Sequence, residues 1–387
     1  MTRILTHEIG SLAKPGWRVK VLAGKVIEES DIEYAKKWAE ILDIGEQVDE
    51  LIRILDKRTD FTAEDKRKVV DFSVLFALKF FEKAGLDIIY DGEQRRVEMY
   101  EYAVRRIKGF KFVGHVRSFD NKYFRKAACV KKPKLENPYH VEEFLSASKL
   151  TKKPLKVPIT GAYTIADWSY DEHYIGSVAI GSKNFLEKLS QARKAFISDL
   201  AKEVIYPNIK ALIDAGAKYI QIDEPAATTK RNEIKVFIDS IIDSIGDLAE
   251  KAFFTIHICF SDYSLLFPEI GRLEGIIDEL HFEYANDDTT ELGVSAKKRK
   301  GYRLLDTLRE YDFKIGLGTI DVHTDFIEPP ELVRDRILYA IDRIGEPSRI
   351  LVAPDCGLRT RTWEVAFEKL RNMVEGRNMA LAKIGLA

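Results

Sequence analysis

Short apolar runs recur along the chain at ILTHEIG (4–10), DIIYDG (87–92), LKVPITGA (155–162), YIQIDE (219–224), FFTIHIC (253–259), ELHFEY (279–284), KIGLGTI (314–320) and ILVAPD (350–355). Their length, their β-branched content and the turn-forming residues around them suit strands covered on both faces. Between the runs, apolar positions fall at helical spacing. Val333, Ile337, Ile341 and Ile344 form one stripe along ELVRDRILYAIDRIG, and Trp363, Phe367, Leu370 and Val374 form another along TWEVAFEKLRNMVEG. Strand and helix alternating eight times predict an α/β fold with a parallel sheet wrapped in helices, most economically a closed (β/α)8 TIM barrel. A doubly wound open sheet is the alternative, but no glycine-rich GxGxxG turn follows any of the runs.

Two stretches interrupt this rhythm. Residues 11–86 hold two helical segments, near 28–57 and 62–84, where a barrel needs one; this is an N-terminal helical extension. Residues 108–154 alternate in strand fashion through GFKFVGHVRSFDNKYFRKAACV before the polar KKPKLENP, which predicts a hairpin insertion followed by a helix. No Gly/Ser/Pro-rich linker and no internal repeat divides the chain, so residues 1–387 are expected to form a single domain.

In a barrel the chemistry lies at the C-terminal ends of the strands. The first run ends in Ile9-Gly10-Ser11, the second in Asp91-Gly92-Glu93, and the third leads into GAYTIADWS with Trp168. The fourth ends in Asp223-Glu224-Pro225, the fifth in His257 and Cys259, the sixth in Glu283, the seventh in Asp321 and His323, and the eighth in Asp355-Cys356. Side chains alternate along a strand, so His257 and Cys259 share a face. Taken alone, such a pair is more often a core histidine beside a buried thiol. Two sulfurs, an imidazole and a carboxylate on strands five, six and eight form a set that packing does not require. His257, Cys259, Glu283 and Cys356 suit tetrahedral zinc, with Glu283 the weakest and most displaceable ligand. Two thiolates already donate charge, so such a site activates water poorly but can hold a substrate thiol as a nucleophilic thiolate. The expected reaction is alkyl transfer to a thiol.

Composition narrows the partners. Lys plus Arg (61) nearly balance Asp plus Glu (62), which leaves no global field to attract nucleic acid or an anionic membrane. No apolar run approaches the length of a membrane span and the N-terminus lacks a signal-peptide core, so a cytoplasmic location is expected. Three cysteines are too few for a disulfide framework.

The motifs DGEQRRVEMY, GAYTIADWS, IQIDEPA, HICFS, GTIDVHT and PDCGLRTR, in that order, resemble the catalytic C-terminal barrel of cobalamin-independent methionine synthase over nearly the whole chain. The chain looks like the stand-alone, archaeal-type core form of that family. The resemblance implies a methyltransferase that makes L-methionine from L-homocysteine, with zinc on the same four residues. It also implies that Ile9 to Ser11 hold the substrate carboxylate and that Glu93 and Asp223 take its ammonium. His323, oriented by Asp321, would be the acid that assists the leaving group, and Trp168 would offer a flat face to a pterin.

The donor stays open between a methyl-tetrahydrofolate and a methylated corrinoid or corrinoid protein. The family's Leu-Arg-Glu after IDEPA is Ala227-Thr228-Thr229 here, which removes charge near the donor region. Alternatives are a zinc alkyltransferase for another thiol such as coenzyme M, and a non-catalytic accessory paralogue. Of the remaining residues, Cys129 reads as a buried hairpin thiol. His7, His115, His140, His173 and His281 have no evident partner, and KKRK (297–300) reads as a solvated helix face.

Overall fold

A computed structural model describes residues 4–117 and 123–386. Six parallel strands form one sheet in the order β3 (Lys156–Thr160), β5 (Tyr219–Asp223), β6 (Phe253–Ile258), β7 (Glu279–Phe282), β8 (Lys314–Gly318) and β9 (Ile350–Ala353). Every residue of β3, β7 and β9 is buried, as expected for strands covered on both faces.

The first two apolar runs join the edges of this sheet through single parallel bridges: Thr6 to Val352, His7 to Ile88, and Ile89 to Leu155. With them the eight runs complete a (β/α)8 TIM barrel. Side-chain and main-chain bonds together reinforce the first of these runs. The Asp87 carboxylate accepts from both Thr6 N (2.9 Å) and Thr6 Oγ1 (3.0 Å), and the Thr6 carbonyl accepts from the N–H groups of Asp87 and Ile88.

Parallel register draws one transverse layer across the sheet: Thr160, Asp223, His257, His281, Gly316 and Leu351 are consecutive partners. Below it the barrel interior is polar. Lys156 Nζ lies 2.7 Å from His7 Nδ1 and donates to Gln221 Oε1 at 2.5 Å, while Glu279 meets His7 Nε2 at 2.9 Å and accepts from Thr255 Oγ1 at 2.7 Å. Burial opposes ionisation of Glu279, but His7 and then Lys156 hold its pKa at about 2.

The helical extension is more divided than its sequence period suggests. The segment near 28–57 forms two helices, Glu29–Ile41 and Asp49–Asp56, and a further helix, Gly16–Leu22, precedes them. The break falls where Asp43 takes a left-handed φ of 56°, which a helix interior does not allow. Helix Ala63–Ala84 matches its expected span. Its start is fixed by a capping box, with Asp65 N bonded to Thr62 Oγ1 (3.1 Å) and Thr62 N to Asp65 Oδ2 (2.9 Å), and its end by left-handed Gly85.

The excursion after residue 107 is the expected hairpin and helix. β1 (Ile107–Arg117) pairs antiparallel with β2 (Tyr123–Leu135), β4 (Tyr170–Asp171) adds to β2 in parallel, and helix Val141–Ser148 follows. The part of the excursion at 118–122 lies outside the described residues. Cys129 is fully buried in β2, as read from its pattern. KKRK differs from its reading: Lys297 and Lys298 lie in a turn, Lys300 opens a short 3-10 helix, and Arg299 is buried against Asp288 at 2.9 Å. An arginine fork can be buried when a carboxylate faces it, and that partner is not adjacent in sequence. No helix among the described residues is long and apolar enough to cross a membrane.

Candidate active site

β6 presents His257 to the barrel interior and ends there, with Cys259 one residue beyond it. The chain turns away at Phe260, whose φ of 47° is a strained left-handed conformation for a bulky residue. Cys356 follows β9 in the Pro354–Gly357 turn. One ligand atom from each of His257, Cys259 and Cys356 lies within 4.8 Å of the others, and His257 Nε2 is 3.4 Å from Cys356 Sγ. A tetrahedral cation with ordinary metal–nitrogen and metal–sulfur bonds requires a nitrogen–sulfur edge of about 3.6 Å.

Burial, then Lys156 and His7, push the His257 pKa down to about 3, so its imidazole is neutral at pH 7. The neighbouring Cys259 thiol, then burial, push Cys356 well above the usual thiol range. A cation bound here would favour the thiolate form of Cys356.

Glu283 stands just outside this trio. Its Oε2 accepts from Asn286 Nδ2 at 2.7 Å and lies 3.5 Å from His323 Nε2, while its Oε1 is buried with no hydrogen-bond partner. The strand ends that carry Cys259 and Glu283 are tied by Tyr263, whose hydroxyl accepts from Glu283 N and donates to the Ile258 carbonyl, both at 3.0 Å. The loop beyond Glu283 is held by Asp355, which accepts from the N–H groups of Tyr284, Ala285 and Asn286 at 3.0, 3.0 and 2.7 Å.

His257 and both cysteines open onto a cavity of about 390 Å³ also lined by Ile9, Ser11, Glu93, Asp223 and Trp168. All five residues expected to bind substrate therefore line the same cavity as His257, Cys259 and Cys356. Ser11 is brought in by Gly357: a Cβ there would lie 2.2 Å from Ser11 Oγ, and Leu358 N bonds to the Ser11 carbonyl at 2.7 Å. Glu93 has a left-handed φ of 56° and accepts from Arg96 Nη1 at 3.2 Å. Asp223 accepts from Gln221 Nε2 at 2.7 Å; burial, then the Glu93 charge, push its pKa well above the carboxylate range. Such a pair attracts a cationic group strongly.

Trp168 stacks on Phe124 of β2 with ring centroids 5.6 Å apart, so the insertion forms part of the cavity wall. His323 lies beside Glu283, its ring 4.3 Å from that of Phe260. Burial works against its charge, but the Glu283 hydrogen bond and charge prevail, and its pKa is raised. Asp321 reaches the main-chain N–H of His323 (2.8 Å) rather than the ring, so it fixes the loop while Glu283 faces the imidazole.

Sequence reading missed three contributors. His281, left without a partner, has its Nδ1 2.8 Å from His257 Nδ1. Its signal was available, since HxE on one strand repeats the alternation of HxC on its neighbour. His140, also left unpartnered, joins Glu143 around the buried Arg96, with His140 Nδ1 3.1 Å and Glu143 Oε2 3.1 Å from Arg96 Nη2. Asn286, three residues after Glu283, carried no signal.

Residues 49–378 match the family described as cobalamin-independent synthase, catalytic domain. The methionine synthase of Thermoplasma acidophilum is 37% identical over 394 residues, covering 99% of this chain and 100% of its own. That of Sulfurisphaera tokodaii is 37% identical over 323 residues, covering 83% of this chain and 85% of its own. Among solved structures, a B12-independent methionine synthase from a Shewanella species in complex with selenomethionine superposes with a TM-score of 0.73 at 22% identity, covering all of both chains. A putative vitamin-B12-independent methionine synthase from Listeria monocytogenes gives 0.63 at 17% identity, over 97% of this chain and 98% of its own. These two support the barrel, while the family match and the 37% identity over almost the full length place the chain in the cobalamin-independent methionine synthase family, as a catalytic domain.

Proposed function

We propose that this protein is a zinc-dependent methyltransferase that converts L-homocysteine to L-methionine. The observation that carries the reading is that three soft ligands open onto the same cavity as Glu93, Asp223 and Ser11. His257, Cys259, Cys356 and Glu283 would hold the zinc. The His257–Cys356 separation fits a tetrahedral edge, and the partnerless Oε1 of Glu283 is a buried lone-pair ligand in want of a cation. Bound there, zinc keeps a substrate thiol deprotonated at neutral pH while leaving its sulfur nucleophilic.

The chain's own residues supply orientation and proton handling. Glu93 and Asp223 bind the ammonium of homocysteine, and the Ile9–Ser11 segment binds its carboxylate, which fixes the thiol's direction of approach. Those carboxylates count against coenzyme M, whose sulfonate thiol lacks an ammonium. Trp168 offers a flat face to the donor. His323, its charge supported by Glu283, delivers a proton to the N5 atom of a folate donor; a methylated corrinoid leaves without one.

The test is to load the protein with zinc and supply homocysteine with methyltetrahydrofolate, as mono- and triglutamate, or with methylcobalamin, and assay methionine. His323→Gln should lower turnover with the folates and spare methylcobalamin. No methionine from any of these donors or from a methylated corrinoid protein, in a protein that binds zinc stoichiometrically, would overturn the reading.

A further inference from the structure

His281 sits on β7 in direct register with His257 on β6, and both point into the barrel. Four atoms follow in sequence beyond the metal-facing nitrogen. His257 Nδ1 is 2.8 Å from His281 Nδ1, and His281 Nε2 is 3.0 Å from the carbonyl oxygen of Pro354. A carbonyl can only accept, so His281 Nε2 carries a proton. In a neutral imidazole the other nitrogen is then an acceptor, which obliges His257 Nδ1 to donate. His257 Nε2 is left bare and faces Cys356 Sγ at 3.4 Å.

The other arrangements make one of the two rings doubly protonated. On His281 that would place an imidazolium, fully buried, against one neutral carbonyl and one ring nitrogen, and on His257 it would place one, also buried, against a ring nitrogen and the Cys356 sulfur. The nearest interior carboxylate below, Glu279, is already engaged by His7 and Thr255.

We propose that His281 is a positioning residue that sets the tautomer of His257, so that an unprotonated Nε2 is aimed between Cys259 and Cys356 before any metal arrives. The inference rests on the metal reading above only for its consequence; the tautomer itself belongs to the protein alone. Four consecutive strands build the relay. β6 and β7 supply the rings, the turn after β9 supplies Pro354, and β8 supplies Gly316, where a Cβ would lie 2.7 Å from His281 Cβ and force the ring aside. A ligating histidine ordinarily hands its second N–H to a carboxylate, carbonyl or water. Here a second imidazole takes it and passes the requirement on to the backbone.

The experiment has two arms. Long-range proton–nitrogen correlation spectra of the histidine-labelled, metal-free protein should show His257 protonated at Nδ1 and His281 at Nε2. A proton on His257 Nε2, or on His281 Nδ1, would overturn the proposal. In the second arm, zinc affinity by chelator competition and the visible spectrum of the cobalt(II) form are compared among the parent, His281→Phe and His281→Gln. Phenylalanine removes the acceptor and should weaken zinc binding by about 10- to 100-fold. Glutamine can accept from His257 with its oxygen and donate to Pro354 with its nitrogen, and should restore most of that affinity and the parent cobalt spectrum. Equal zinc affinity in all three proteins would overturn the proposal. If the parent binds no metal while the spectra report the stated tautomers, the zinc reading fails and the relay stands.

Discussion

Glu143 is the most informative charge outside the metal cluster. It lies in helix Val141–Ser148, beyond the barrel, and its Oε2 is 3.1 Å from Arg96 Nη2; both side chains are 3% exposed. Glu143→Gln keeps the volume and a hydrogen-bond acceptor but removes the charge. At an effective dielectric of about 20, a pair at that separation is worth roughly 5 kcal/mol. The carboxyl itself reports a similar amount. Burial opposes its ionisation, yet Arg96 and then His140 hold its pKa at about 2 instead of 4.5, which corresponds to about 3 kcal/mol.

The variant should therefore lose about 3 kcal/mol at pH 7 in urea unfolding followed by fluorescence and circular dichroism. The sign with pH follows from the depressed value: the stabilisation is complete above pH 4.5 and is lost as pH falls towards 2. His140 adds a second slope. Burial, then Arg96, lower its pKa to about 4, so between 6.5 and 4 the unfolded chain binds the proton first and stability also falls with acid. The variant should lack the slope below 4.5. Arg96, deprived of Glu143, should engage Glu93 more closely, and the KM for homocysteine should rise several-fold. A loss under about 0.5 kcal/mol at pH 7, with a parent-like acid profile, would refute the assignment of Glu143 as the counter-charge of Arg96.

Three further outcomes are expected. Glu93→Gln removes one charge-assisted bond to the substrate ammonium, worth about 1.5–3 kcal/mol, so homocysteine KM should rise by about 10- to 150-fold in steady-state assays while zinc content stays at the parent level. Gly357→Ala drives a methyl group to 2.2 Å from Ser11 Oγ. The forced shift, about 1–3 kcal/mol, should raise homocysteine KM at least about fivefold. Trp168→Ala removes an aromatic face worth about 0.5–1.5 kcal/mol, which should raise the KM for a folate donor by about 2- to 10-fold with no effect on homocysteine KM.

The barrel could be read from the chain because its strands are buried on both faces and so appear as short, nearly continuous apolar runs. The active rim could be read because a barrel gathers its strand ends at one mouth, so residues far apart in sequence, such as His257 and Cys356, were identifiable as neighbours from position alone. The helical extension showed a segment near 62–84, where a helix forms, but not the break at Asp43, which depends on a backbone conformation that the apolar period does not encode.

What the sequence by itself determined is thus the architecture and the identity of the chemistry-bearing side chains, since both follow from local alternation and from where each strand stops. Only the tertiary structure decided which nitrogen of His257 is free, where the Glu283 carboxylate turns, and that Arg96, His140 and Glu143 stand behind Glu93. These depend on register between strands and on burial. His281 meets His257 because the chain returns to the same layer 24 residues later, and Arg299 of KKRK is buried because Asp288 is folded against it. A hydrogen-bond direction is fixed by its last acceptor, and no local pattern reveals that this acceptor is the carbonyl of Pro354.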